Sequence, residues 1–359
     1  MKQITTHLFI LCIMVNFHTF AQTSKLNQMD NSSYTDLWKQ IETMESKSLP
    51  RSANEIAEKI YSKALMEKNS PQLIKALIHQ MKYQIAMDKN RLPELILSVE
   101  LLAENNQNET EQCILYSFLA QLYDRYYSIN AYTINQRTAV TGTVPDDIRE
   151  WTGNIFIKKI CEAVERSLYA EKMLQSTYST DYAAILQEGE SSRILRPTLF
   201  DFIAAQGIET LSNLINSNLN HYFHQSKFSQ TDYFSPVSHF ILLPIHAEPC
   251  DIVPQIARLY QRLLSFRMQE NQPEALLMVD LDRLDFINRH TENDDRSILY
   301  LAALNELEKI YESNDYCVEI LYKKAQFYRL SMPMNIMPRW EFATDQSIQN
   351  EKKACHPRP

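Results

Sequence analysis

The chain has 359 residues, 45% hydrophobic and 22% charged, with a net charge of −8 at pH 7. That composition buries a sizeable core and excludes a disordered chain, and its acidic balance argues against nucleic acid or an anionic membrane as a partner. Its 4 glycines, Gly142, Gly153, Gly189 and Gly207, lie too far apart for a G-x-x-x-x-G-K-[ST] phosphate loop or a G-x-G-x-x-G dinucleotide fingerprint, and are too few for a fold rich in tight hairpins.

Residues 1–21, "MKQITTHLFILCIMVNFHTFA", carry an early cation, Lys2, an apolar run from Leu8 to Val15, and Thr19-Phe20-Ala21 before Gln22. This is the pattern of a secretory signal peptide cut after Ala21, so the mature chain is expected to be exported, to a periplasmic or outer-envelope location. The run is too short to span a bilayer, and no later stretch is long and apolar enough for a transmembrane helix. Cys12 follows Phe9-Ile10-Leu11, where a lipid-attachment signal needs a small residue. Without Cys12 the cysteines are Cys113, Cys161, Cys250, Cys317 and Cys355, odd in number and with no C-x-x-C pair, so neither a disulfide framework nor a zinc ribbon is signalled. Most of them are expected to be small apolar core residues.

Ser52-Ala53-Asn54-Glu55 has the form of a capping box and predicts a helix with Ile56, Ile60, Ala64 and Leu65 on one face. Ser70-Pro71, a cap followed by proline, opens a second helix carrying Leu73, Leu77, Met81 and Ile85. So short a link makes the two antiparallel. The pattern repeats over Pro93–Ala103 and Glu109–Tyr127, where Ile114, Leu115, Phe118, Leu119 and Leu122 face a neighbour and Tyr116, Tyr123, Tyr126 and Tyr127 add aromatic bulk. Ser128 to Asp147 is expected to be a polar loop, with apolar content resuming at Ile148–Trp151 ahead of one long helix near Ile155–Leu174.

His221 to Pro254, with Pro236, Pro244, Pro249 and Pro254, predicts an extended segment laid over helices. Arg296–Tyr311 and Tyr316–Tyr328 predict a last hairpin. The expected fold is therefore all-α: irregular antiparallel helical hairpins stacked as a solenoid like tetratricopeptide repeats, with one extended Pro-containing segment. The expected division is a signal peptide (1–21), an N-terminal helical lobe (22–220), an extended connection (221–254), C-terminal hairpins (255–330) and an irregular tail (331–359).

Candidate chemistry is sparse. His221 and His224, three apart, with His239, His246, Glu248 and Cys250 following, bring metal ligation to mind, but H-x-x-H lacks the spacing and glutamate of a zinc protease helix, and the bland reading is surface histidines. Asp280, Asp282 and Asp285 lack the central glycine and final glutamate of a calcium loop and are expected at solvated or capping positions of a helix. No G-x-S-x-G elbow presents a nucleophile. The 19 tyrosines are expected to fill seams between stacked helices, although a concave solenoid face would bind peptides or proteins. No catalytic, cofactor or metal residue is assigned.

The stretches "ILQEGESSRILRPTLFDFIA", "DDIREWT", "YFSPVSHFILLP" and "LDRLDFI" together resemble the N-terminal helical region of large exported bacterial alpha-2-macroglobulin-type proteins, from about Tyr34 to Tyr328. Pro197 and Thr198 then start a helix whose buried face is Leu199, Phe200, Ile203 and Leu211, and Asp201 is a first-turn anion suited to the helix dipole. The inhibitory parts of that family are its bait, its macroglobulin domains and its Cys-x-Glu-Gln thioester. None is found here, Glu111-Gln112-Cys113 having the reverse order, so the chain is expected to be an amputated or separately encoded N-terminal piece. The expected function is a non-enzymatic exported helical scaffold docking a macroglobulin body or another envelope protein. The alternative is a ligand- or metal-binding, even hydrolytic, envelope domain centred on His221, His224, His239 and His246.

Overall fold

The computed structural model describes residues 33–137, 143–186, 191–216, 227–248, 251–270 and 272–331. Among these the fold is all-α: fourteen α-helices, short 3-10 turns and no strands, only isolated backbone bridges pairing Tyr178 with Thr198 and Phe228 with Thr291. The Cα packing divides the chain into two units, the first comprising residues up to Lys227 together with Pro244–Asp280, the second Phe228–Leu243 together with the chain from Leu281.

The first unit begins with α1 (Tyr34–Ser46), α2 (Pro50–Glu67) and α3 (Ser70–Met87). The α2–α3 hairpin forms because Lys68 takes a left-handed conformation (φ 54°) and the Asn69 side chain caps α3 by accepting from Gln72 N. Capping thus differs by a residue or two from the sequence expectation. Pro50, its φ already helical, starts α2 from the cap residue Leu49, which leaves Ser52 inside the first turn. Ser70 lies within α3 and its hydroxyl donates to Glu111. Leu37, Ile41, Ala53, Ile56, Ala57, Ile60, Ala76 and Tyr83 form the core of this end. Leu65 is an exception to the predicted face: it is exposed, because the small Ala64 takes the buried position.

α4 (Leu92–Asn105) packs on α5 (Glu109–Ile134), and α5 on α6 (Gly153–Ser167). α5 runs to Ile134, which is fully buried, so Ser128–Ile134 belongs to helix rather than to the predicted loop. The seam expected of the tyrosines is filled by Tyr123, Tyr126 and Tyr127, whose rings meet Trp151 and Phe156 at centroid distances of 5.5 to 5.9 Å, whereas Tyr132, Tyr169, Tyr178, Tyr322 and Tyr328 are exposed. Trp151 is fixed by its indole N–H, which donates to Pro145 O at 2.8 Å, and by Arg137, which donates to the Trp151 carbonyl. Cys113 and Cys161 are buried apolar residues, and burial pushes the Cys113 thiol up to about 11. Cys317 is half-buried; Cys250 and Cys355 lie outside the described residues.

The long helix expected near Ile155–Leu174 is broken into α6 and α7 (Glu171–Ser176). Arg262 occupies the break, donating to Leu168 O and to Glu171 at 2.9 Å each. After α8 (Ser192–Leu195), α9 (Leu199–Asn216) packs against α5, α6, α7 and α11 (Ile252–Gln269). A solenoid repeat touches only its immediate neighbours. α9 does not behave that way, since its buried face, Leu199, Phe200, Ile203, Ala204, Leu211 and Leu214, is wide enough to serve several helices. The close approach to α6 depends on Gly207, where a Cβ would lie 3.0 Å from Val164 Cγ1. Pro254, assigned from sequence to the extended segment, sits in the first turn of α11.

The second unit contains α10 (Val237–Phe240), the part of α12 (Pro273–Arg289) from Leu281, α13 (Arg296–Ile310) and α14 (Cys317–Ser331). The last two pair as the hairpin read from sequence. The Pro-containing stretch is extended only in part: Thr231–Phe234 is a 3-10 turn and α10 follows Pro236. Phe228 ties it to the end of α12, its N–H donating to His290 O and its carbonyl accepting from Glu292 N, both at 3.0 Å.

Filling the α6–α9 contact should disrupt it. Gly207→Leu is expected to lower stability by about 2–3 kcal/mol through overpacking, measured as a shift in the urea midpoint. An unchanged midpoint would show that the two helices have room to separate.

Candidate functional site

Asp201 is the lone charge in the apolar run that opens α9, and it is 2% exposed. Two constraints put it there. With Thr198 it forms a capping box: Oδ2 accepts from Thr198 N at 3.0 Å and from Thr198 Oγ1 at 2.7 Å, while Asp201 N donates weakly back to Oγ1 at 3.4 Å. Arg267, 1% exposed near the end of α11, supplies the counter-charge: Nη2 donates to Oδ2 at 3.0 Å, and Nε lies 2.9 Å from Oδ1, out of line for a hydrogen bond. The Arg267 guanidinium also lies over the Phe266 ring, whose other neighbour is Phe200. Burial raises the Asp201 carboxyl above the ordinary carboxylate range against the pull of Arg267 and Thr198, and burial lowers Arg267 against the pull of Asp201. Desolvation outweighs attraction for both partners, so the pair fixes how α9 meets α11 more than it adds stability. The sign follows: the folded state holds the Asp201 proton more tightly than the unfolded chain, so this carboxylate does not drive acid unfolding.

A second buried guanidinium, Arg283 on α12, is 1% exposed. It donates to Tyr233 O at 2.7 Å and Ser235 O at 3.1 Å, and its guanidinium lies 4.5 Å from the centroid of the Phe240 ring. With the Phe228 backbone bonds it holds the Pro-containing stretch against α12. Along that stretch His239 is exposed. In the first unit His246 and Glu248 are exposed as well, and His221, His224 and Cys250 lie outside the described residues. Among the described residues no group of three His, Cys, Asp or Glu side chains is placed to hold a metal ion.

Two of the three aspartates of "MVDLDRLDFI" differ from the expected solvated positions. Only Asp282 is exposed; Asp280 is 2% exposed, and Asp285 is half-buried. Asp285 accepts from Tyr300 Oη on α13 at 2.5 Å and from Lys323 Nζ on α14, joining three helices. Burial and the adjacent carboxylate push the Tyr300 hydroxyl far above its usual range, so it stays a donor.

At the other end of the chain, Glu45 accepts from Lys82 Nζ at 2.8 Å and Tyr83 Oη at 2.6 Å, with His79 at 3.8 Å. Burial by itself would raise the Glu45 carboxyl, but the hydrogen bonds from Lys82 and Tyr83 leave it below the ordinary value. Burial also lowers His79, whose ring lies tilted against Trp38 at 4.8 Å between centroids. These groups bind α1 to α3.

Sequence reasoning did not pick out Arg267, Arg283 or Lys323. The signal existed for the first: Arg267 falls in step with Tyr260, Leu263 and Leu264, a charge on the apolar face of α11. The large exposed apolar side chains of the first unit include Ile129 (64%) and Tyr132 (82%), one turn apart near the end of α5, and Leu65 and Met66 at the end of α2. No helix among the described residues is long and apolar enough to cross a membrane. No protein-family model, no curated protein and no solved structure matches the chain.

Asp201→Ala leaves Arg267 buried without its counter-charge and is expected to cost about 3–5 kcal/mol in equilibrium unfolding, with much of the loss recovered in Asp201→Ala/Arg267→Met. Additive losses would instead mean that the two groups do not depend on each other. Glu45, whose folded value is depressed, contributes stability that is present above the unfolded carboxylate value and lost as pH falls through the folded one. Glu45→Gln should therefore flatten the fall in thermal stability below about pH 4.5, and a variant with the wild-type slope would contradict this.

Proposed function

We propose that this chain is a non-enzymatic, exported helical scaffold that docks a macroglobulin-type envelope polypeptide, as the resemblance to the N-terminal region of alpha-2-macroglobulin-type proteins implies. One observation carries the reading: three of the stretches that bear the resemblance each contain a buried polar group that is engaged inside the fold. Asp201 of "RPTLFDF" is held by Thr198 and Arg267. Arg283 of "LDRLDFI" holds two carbonyls of "YFSPVSHF". Trp151 of "DDIREWT" is fixed by Pro145 and Arg137. Groups so engaged position helices, and a reaction needs groups that can reach a substrate. The work of such a chain then falls to its surface, and Ile129 and Tyr132 form an exposed apolar pair suited to a protein partner.

The test is affinity capture from envelope extract with the purified protein as bait. Retention of a macroglobulin-type polypeptide, weakened in Ile129→Ser/Tyr132→Ser, is the expected result. An empty capture would remove the scaffold reading, and equal retention by the variant would move the docking surface away from α5.

A further inference from the structure

α1 meets α3 through side chains that share one charge balance. Trp38 of α1 lies against two groups one turn apart on α3: the Lys75 ammonium is 4.3 Å from its ring centroid, and the centroid of the His79 ring is 4.8 Å from it. Its indole N–H donates to Gln72 Oε1 at 2.7 Å. One turn further along α3, Tyr83 gives its single hydroxyl proton to Glu45 of α1 at 2.6 Å, so the imidazole is the donor in the 3.0 Å contact between His79 Nδ1 and Tyr83 Oη. His79 is therefore the neutral Nδ1–H tautomer, and its side chain is only 25% exposed.

A second proton, on Nε2, would add a cation where the neighbouring acceptors are already committed. Lys82 and Lys75 act on the imidazole from its own helix and Glu45 acts on it from α1, Glu42 of α1 acts on Lys75, and α2 contributes no charge to this set. Glu45, 3.8 Å from Nδ1, already accepts from Lys82 and Tyr83, and the Trp38 indole already carries Lys75. Burial first, then Lys82 and Lys75, hold the imidazole below its ordinary value against the pull of Glu45.

We propose that His79 is an acid-sensitive latch: its protonation loosens α1 from α3 and opens the apolar surface that α1 covers on α2. With α1 undocked, the imidazole loses its burial and the two ammoniums act on it through water, so it takes a proton more readily. The stability that neutral His79 lends to docking is full above the undocked value of about 6.5 and is lost as pH falls through the docked one. That loss begins about two pH units above the range in which a carboxylate such as Glu45 takes a proton. The surface it opens is a core one: Leu37 and Ile41 of α1, 2% and 1% exposed, pack with Ala53, Ile56, Ala57 and Ile60 of α2.

Amide hydrogen exchange of the purified protein, corrected for the intrinsic effect of pH and followed by mass spectrometry, reads the opening at Tyr34–Ser46 directly. Protection of this helix is expected to fall between about pH 7 and about pH 5.5, while α5 and α6 keep theirs. His79→Gln keeps a neutral N–H donor for Tyr83 and cannot titrate, so the fall should vanish in it. Glu45→Gln should lower protection at both pH values and leave the fall in place. Far-UV circular dichroism and melting confirm that both variants are folded. Constant protection of α1 across this range, a fall that persists in His79→Gln, or a loss shared by every helix would each overturn the proposal.

Discussion

A guanidinium cannot be left buried without acceptors, and that constraint organises the first unit. Arg267 enters an interior otherwise made of Leu, Ile and Phe, where an unpaired charge would be prohibitive. The carboxylate that answers it must come from another element at a fixed distance, and Asp201 is fixed in turn by Thr198. The start of α9 and the end of α11 therefore have one workable arrangement. From that junction α9 extends back to α5, α6 and α7, so the choice made at one ion pair sets the surroundings of the helix on which the unit converges. The second unit obeys the same rule with different acceptors, since Arg283 draws two backbone carbonyls of a Pro-containing stretch onto α12.

The local grammar of the chain was legible wherever the physics is local. Apolar periodicity, prolines at helix starts and short links gave the hairpins of α2 with α3 and α13 with α14, and Tyr123, Tyr126 and Tyr127 of α5 do line an aromatic seam. Errors arose where two local signals competed. Ser52 looks like a cap, but Pro50 has already set the helical φ; Ser128 to Asp147 look like a loop, but Ile134 has a buried place that draws α5 on to that residue. The break between α6 and α7 could not be read, because the group that stabilises it, Arg262, comes from α11.

The candidate site was less legible for the same reason. A first-turn aspartate on a helix is ordinarily a solvated partner of the dipole, and nothing near Asp201 in sequence reveals that Arg267 will reach it. Asp285 likewise acquires its meaning from Tyr300 and Lys323. The histidines that attracted attention in the sequence were conspicuous only by being close together along the chain, and His239 and His246 face solvent. Charges at apolar-face positions proved the better guide, because burial obliges each to find a partner.

The break between α6 and α7 carries a dynamic consequence. Arg262 holds Leu168 O at the end of one helix and Glu171 at the start of the next, from a third helix far along the sequence. Local fraying of the α6 terminus cannot then proceed independently, because releasing that turn also strips a half-buried cation on α11 of Leu168 O and of its ion pair with Glu165, leaving it to Glu171. The end of α6, the start of α7 and the middle of α11 consequently open as one cooperative segment, with the amides of all three sharing a single opening free energy.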